Sequence, residues 1–130
     1  MKTIIDKQEF EELIHTQELV ICFVHSPWAG TSLMGLQKFR ELVSSRSNFC
    51  FVIIDNDSAD SFIYDWLKNQ EKTLEMNNSS LKKRAGSWIH GNGEMFGVKN
   101  KHLIWFETSI YNLTRSEIEG KSYFKKQGDA

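Results

Sequence analysis

Proline is nearly missing from this chain: of 130 residues, only Pro27 is one. Its turns must therefore come from Gly, Asn, Asp and Ser, and it contains no repeat or low-complexity tract. Long apolar runs are missing too. The longest, Leu19 to Val24 and Phe49 to Ile54, have six residues each, against the roughly 18 to 20 that cross a bilayer as a helix. That excludes a helical membrane anchor. No sign of charge dominates, since 16 Lys and Arg face 17 Asp and Glu. The chain has neither the high pI nor the clustered basic face of a nucleic-acid binder. What charge asymmetry exists runs along the chain: residues 1–76 sum to -5 and residues 77–130 to +4, a dipole suited to orienting a protein partner.

Cysteine is scarce, at two residues, Cys22 and Cys50. The opening Met1-Lys2-Thr3-Ile4-Ile5-Asp6 lacks the apolar core of a secretory signal, so both thiols are expected in a reducing cytoplasm. Export in an already processed form stays open. Without secretion, the sequons that start at Asn77, Asn78 and Asn112 carry no meaning. His15, His25, His90 and His102 have no ligand spacing and no Cys-x-x-Cys beside them, so no metal and no cofactor are expected.

What the chain does have is the apolar content of one globular domain with a single core, residues 1–130. Phe10, Leu13 and Ile14, spaced three and four apart after Asp6, predict a helix over about 7–16 with Asp6 as its cap. The two six-residue runs are continuous and rich in β-branched and aromatic side chains, as strands buried on both faces of a parallel sheet read. Between them Leu33, Leu36, Phe39, Leu42 and Val43 predict a helix over 31–45, long enough for a parallel crossover. Phe62, Ile63, Trp66 and Leu67 predict a further helix, opened by Ser58 or Asp60 and running towards Leu74. Asn77-Asn78-Ser79-Ser80 breaks it, and glycines 86, 91, 93 and 97 keep the next stretch from being helical. Residues 94–98 and 103–108 alternate as a hairpin across Lys99-Asn100-Lys101-His102. Thr114-Arg115-Ser116-Glu117 has the form of a capping box opening a last helix.

At Val24-His25-Ser26-Pro27-Trp28-Ala29-Gly30-Thr31-Ser32-Leu33-Met34 the chain resembles the thioredoxin family, as does the order strand, helix, strand, helix, strand, helix, hairpin, helix. Asp6-Lys7-Gln8-Glu9-Phe10 and Ile54-Asp55 extend the likeness over residues 1–60. The resemblance implies a thioredoxin-like α/β fold, a mixed central sheet of four to five strands flanked by helices, with an extended insert around 75–93. A thioredoxin has Trp-Cys-Gly-Pro-Cys at the start of its second helix. Here Trp28 and Gly30 stand, but Ala29, Thr31 and Ser32 replace the other three. Disulfide exchange needs one thiolate to attack and a second thiol to resolve the mixed disulfide. A methyl group does neither, and an alcohol does not ionise near neutral pH without a strong base. The family's buried acid aligns with Phe23, and its cis-proline has no candidate after residue 27. Thiol oxidoreductase chemistry is therefore not expected, and the chain reads as a non-enzyme.

With the thiols gone, the family's substrate-gripping surface implies binding to another protein, as a chaperone, adaptor or toxin-neutralising partner. Pro27, Trp28, Ala29, Thr31 and Ser32 would form one edge of that face, and Trp88, Ile89 and His90 the opposite loop. An indole buries much area at little entropic cost, although Trp28 and Trp88 read equally well as covers of the core. The alternative is a glutathione-binding or transferase-like enzyme that uses Ser32 and Thr31 at the helix start. Cys22 and Cys50 fall on strands that the thioredoxin order makes neighbours, but within apolar runs they read as inert core thiols. His25 is a candidate partner contact or a local hydrogen-bonding residue. Gly91-Asn92-Gly93-Glu94-Met95-Phe96-Gly97 leads into a strand, which makes it a turn and not a phosphate cradle. Lys82-Lys83-Arg84 reads as a solvated face, or as the border of a partner groove with Trp88 and His90 behind it.

Overall fold

The computed structural model describes residues 2–4, 6–45, 50–55, 62–71, 89, 91–113 and 117. Five strands and three helices alternate through them: β1 (Lys2–Ile4), α1 (Lys7–Thr16), β2 (Leu19–His25), α2 (Gly30–Ser45), β3 (Cys50–Asp55), α3 (Phe62–Glu71), β4 (Met95–Lys99) and β5 (His102–Glu107), followed by a 3-10 turn at Ile110–Asn112. The sheet order is β1-β3-β2-β4-β5. β1, β3 and β2 run parallel, and β4 and β5 are antiparallel to their neighbours, so the sheet is mixed, as expected.

Each element follows from its residues. Asp6 is extended, and its carboxylate accepts the Glu9 N–H at 2.8 Å, satisfying one of the free amides at the start of α1. Phe10 and Ile14 point from α1 into the sheet. β2 and β3 are buried along their middles because helices cover both sides. On one side Val20, Cys22, Val24, Val52, Ile54, Phe96 and Val98 pack with Phe10 and Ile14 of α1 and Phe62, Ile63 and Leu67 of α3. On the other, Ile21, Phe23, Phe51, Ile53 and Met95 pack with Leu36, Phe39 and Leu42 of α2 and with Ile110. The β4–β5 connection is two residues, Asn100 and Lys101, both at positive φ (50° and 71°), the mirror-image turn that matches strand twist.

Several expectations need adjusting. Leu33 was expected on the inner stripe of α2 and is instead 52% exposed, while Ser32 is fully buried. The inward stripe is Ser32, Gly35, Leu36, Phe39 and Leu42, which is the same helical period displaced by one residue at its first turn. The turn at Ile110–Asn112 was not foreseen. The expected last helix, and the insert around 75–93 apart from Ile89 and residues 91–93, lie outside the described residues. No helix among the described residues is long and apolar enough to cross a membrane.

Lys38 ties the 3-10 turn to α2. Its half-buried Nζ donates to the carbonyls of Tyr111, at 2.6 Å, and of Leu113. A hydrogen bond with a charged donor contributes roughly 1.5 to 3 kcal/mol, and methionine keeps the apolar stem without the donor. Lys38→Met is therefore expected to lower stability by about 2 kcal/mol in urea unfolding, with an unchanged slope.

Candidate functional site

β2 delivers the chain to the carboxyl end of the parallel strands, and α2 starts five residues after it ends. Open α/β sheets bind ligands at this end. Between them Ser26-Pro27-Trp28-Ala29 makes a turn in which the Ala29 N–H bonds to the Ser26 carbonyl at 3.0 Å. The Ala29 carbonyl then accepts from Leu33 at 3.1 Å, so positions 29 and 32 stand in the first turn of a helix leaving a central strand. The two cysteines are elsewhere, on β2 and β3, and both are free.

The turn is fastened from inside. Ser32 Oγ accepts the Ser26 N–H at 2.8 Å and lies 3.2 Å from His25 Nδ1. With no exposure at all, this hydroxyl cannot join the binding face expected for it; it shapes the turn from behind. Ser32, His25 and the cross-strand neighbour of His25, Asp55, share the residue types of a hydrolytic relay. Burial of Oγ closes that chemistry to a substrate. Thr31 Oγ1 donates to the Gly91 carbonyl at 3.3 Å. Both hydroxyls that a glutathione-activating reading requires are thus engaged within the protein.

Burial holds the His25 imidazole below its usual range. The Asp55 carboxylate partly opposes this and the Arg40 guanidinium adds to it. A histidine that is harder to protonate in the fold contributes stability that is fully present above its unfolded value of about 6.5. That contribution is lost as the pH falls from there towards the lower folded value.

The opposite loop precedes β4, with Gly91 and Gly93 at φ 77° and 79°. Only glycine takes these angles without strain, and a Cβ on Gly93 would also come within 3.3 Å of the Phe23 ring and of Ser32 Cα. Four successive carbonyls of this loop accept from four different places: Gly91 from Thr31, Asn92 from Ser109 at 3.1 Å, Gly93 from the Ile110 N–H at 3.4 Å, and Glu94 from the Val24 N–H at 2.8 Å. The loop is held by long-range bonds, without a proline.

At the surface of this turn Trp28 is 64% exposed, Met34 58% and Leu33 52%. Sequence reasoning found Trp28 but missed the other two: Leu33 reads as a core position of the helix, and Met34 is assigned neither role. Trp28 passes over Gly91, where a Cβ would come 3.6 Å from its Nε1. With most of its surface exposed, it is not a cover for the core. Pro27 is exposed and Ala29 half-buried. Ile89 is half-buried against the α1/α3 side of the core. Trp88 and His90 lie outside the described residues.

Cys22 and Cys50 share a face of the sheet but not a register position: Cys22 pairs with Val52, and Cys50 with Val20. A two-residue offset between adjacent strands separates their Cα atoms by about 8 Å, beyond the roughly 7 Å a disulfide spans. Burial, and for Cys22 also the nearby Cys50, raises the Cys22 thiol well above its usual range; burial raises Cys50 too. Raised thiols are poor nucleophiles. Among the described residues no three His, Cys, Asp or Glu side chains gather as cation ligands would.

The architecture is the thioredoxin fold. The chain superposes on Plasmodium falciparum thioredoxin with a TM-score of 0.62 at 15% identity, covering 97% of this chain and 98% of that one. Against Fasciola hepatica thioredoxin the TM-score is 0.60 at 12% identity, with 97% and 98% covered. For mitochondrial thioredoxin 3 from Saccharomyces cerevisiae, in its oxidized form, it is 0.60 at 15% identity, with 100% and 95% covered. No protein-family model matches the sequence, and no curated protein matches it. The likeness is one of fold.

Proposed function

We propose that this chain is a redox-inactive thioredoxin-like domain, one unit over residues 1–130, that binds another protein in the cytoplasm as a chaperone, adaptor or toxin-neutralising partner. The observation that carries this reading is the exposure of three large apolar side chains near in sequence, Trp28, Leu33 and Met34, at a helix start that carries a methyl group and a buried, hydrogen-bonded hydroxyl in place of two thiols. Large apolar side chains exposed together on a rigid element mark interaction sites. An indole and a methionine are well suited to one, the first rigid and the second able to adapt. Pro27 and Ala29 border the patch, and Thr31 braces it against Gly91. Trp88, Ile89 and His90 are proposed as further contributors to this face. With the carbonyls of residues 91–94 already engaged, the face grips its partner through side chains more than through backbone pairing.

The glutathione reading draws no support from hydroxyls that are already bonded. It predicts a rise in melting temperature with millimolar glutathione, which the binding reading does not. The direct test is retention of a partner from native-cell extract on immobilised protein, compared between the natural chain and Trp28→Ala. A central aromatic anchor is worth at least about 2 kcal/mol, so the variant is expected to hold the partner roughly 30-fold more weakly or lose it. Equal retention by a folded Trp28→Ala variant removes this face from the interaction.

A further inference from the structure

The bonds behind Trp28 have only one consistent direction. Ser32 Oγ already accepts the Ser26 N–H at 2.8 Å. Among the described residues the only other polar partner at hydrogen-bond distance is His25 Nδ1, at 3.2 Å. A hydroxyl has a single proton to give. With Ser26 donating in, that proton goes out to Nδ1, so Nδ1 must carry a lone pair and the ring proton sits on Nε2. A protonated ring puts a second donor, Nδ1–H, against the same oxygen and leaves the Ser32 proton without an acceptor inside a fully buried site. Burying a polar group without a partner is costly. Protonation thus fills both lone pairs of this oxygen with N–H donors and strands its own proton.

We propose that neutral His25 is the positioning residue of the Trp28 turn, and that its protonation, by leaving the buried Ser32 proton without an acceptor, weakens the Ser26–Ser32 link and loosens the turn that carries Trp28. The inference rests on the binding reading for its consequence, a grip that weakens in acid, but its structural half stands alone. The charged groups facing the ring are consistent with a switch that stays closed at neutral pH. Asp55 on β3 stands beside His25 in register and favours the cation; Arg40 on α2 opposes it. Glu94, the neighbour of Val24 just before β4, belongs to the opposite face of the sheet by strand alternation. Lys38, also on α2, is committed to the carbonyls of Tyr111 and Leu113. His25 also stacks on Phe23, with ring centroids 6.4 Å apart.

The test is amide hydrogen exchange by NMR on the full chain, corrected for intrinsic rates and read on both sides of the titration of His25, which its own ring resonances report. Ser26 is expected to lose about tenfold in protection when His25 protonates, the effect of one hydrogen bond. Val24, whose N–H bonds to Glu94 in the neighbouring strand, should keep its protection. His25→Gln, whose amide oxygen accepts at any pH, should protect Ser26 throughout; His25→Leu, with no acceptor, should expose it throughout. Unchanged Ser26 protection across the titration overturns the proposal. So does parallel loss at Val24, which would mean global unfolding, and so does a ring that stays neutral until the chain unfolds. If Ser26 switches as expected but partner retention is the same at both pH values, the switch stands and the binding reading fails.

Discussion

Ala29→Cys combined with Ser32→Cys is expected to give a dithiol that reduces insulin in the presence of dithiothreitol, where the natural chain is expected to give no turnover above a no-protein control. The geometry already separates the two tasks. Position 29 is half-exposed at the mouth of the turn, and position 32 is fully buried behind it, as an attacking and a resolving sulfur should be. They lie three residues apart in one helical turn, about 5 to 6 Å between Cβ atoms, slightly wide of the disulfide range but closable by a small shift. A thiol at the start of a sixteen-residue helix has its thiolate stabilised by free amides and the helix dipole. A fall of its pKa towards 7 gives roughly tenfold more thiolate at neutral pH than an ordinary cysteine has. Activity should be partial. Phe23 offers no carboxylate to move the proton, and sulfur at position 32 must fit a site with no exposure, beside a loop where even a Cβ on Gly93 would come 3.3 Å from Ser32 Cα. Ala29→Cys alone should stop at a mixed disulfide. If the folded double variant neither forms a disulfide nor turns over, the helix start is not built as described.

How much of this was legible beforehand depends on the range of the forces involved. β2 and β3 are each within a residue of their expected limits, because strands covered on both faces must be apolar at every position. α1 is legible from its cap and from Phe10 and Ile14, all within a little over two turns. The inward face of α2 beyond its first turn is legible for the same reason, whereas Leu33 and Ser32 are exchanged relative to the pattern. There a buried hydroxyl is bonded by Ser26 and His25, and no hydropathy period registers that. The loop at 91–94 reads as a turn from its glycines, but what holds it does not. Thr31 reaches Gly91 across sixty residues, and Lys38 reaches Tyr111 across seventy-three. Such bonds depend on the sheet order, which local patterns constrain only through topology. Met34 shows the converse case, since an apolar residue on an apolar helix gives no sign that it faces outward.

Gly97→Ala is expected to be the most damaging single methyl addition among the described glycines. Gly97 lies mid-strand in β4, between Ile21 of β2 and Trp105 of β5. A Cβ there would stand 2.3 Å from both Nε1 and Cε2 of the Trp105 indole, far inside van der Waals contact. Just beyond this pair the β4–β5 register jumps from Gly97↔Trp105 to Val98↔Leu103. Ile104 is the extra residue, and the bulge helps lay the indole across the strand. Trp105 then packs on the α2 side of the core, so it cannot leave without uncovering apolar surface. Overpacking of this kind costs about 2 to 3 kcal/mol, or roughly 10 °C in melting temperature for a chain of this size. The cause can be isolated with a double-mutant cycle. In a Trp105→Leu background, where no indole opposes the new methyl, Gly97→Ala should cost less than about 1 kcal/mol, giving a coupling energy of at least about 1 kcal/mol between the two sites. If the methyl costs the same in both backgrounds, the glycine is there for its backbone and not for the ring.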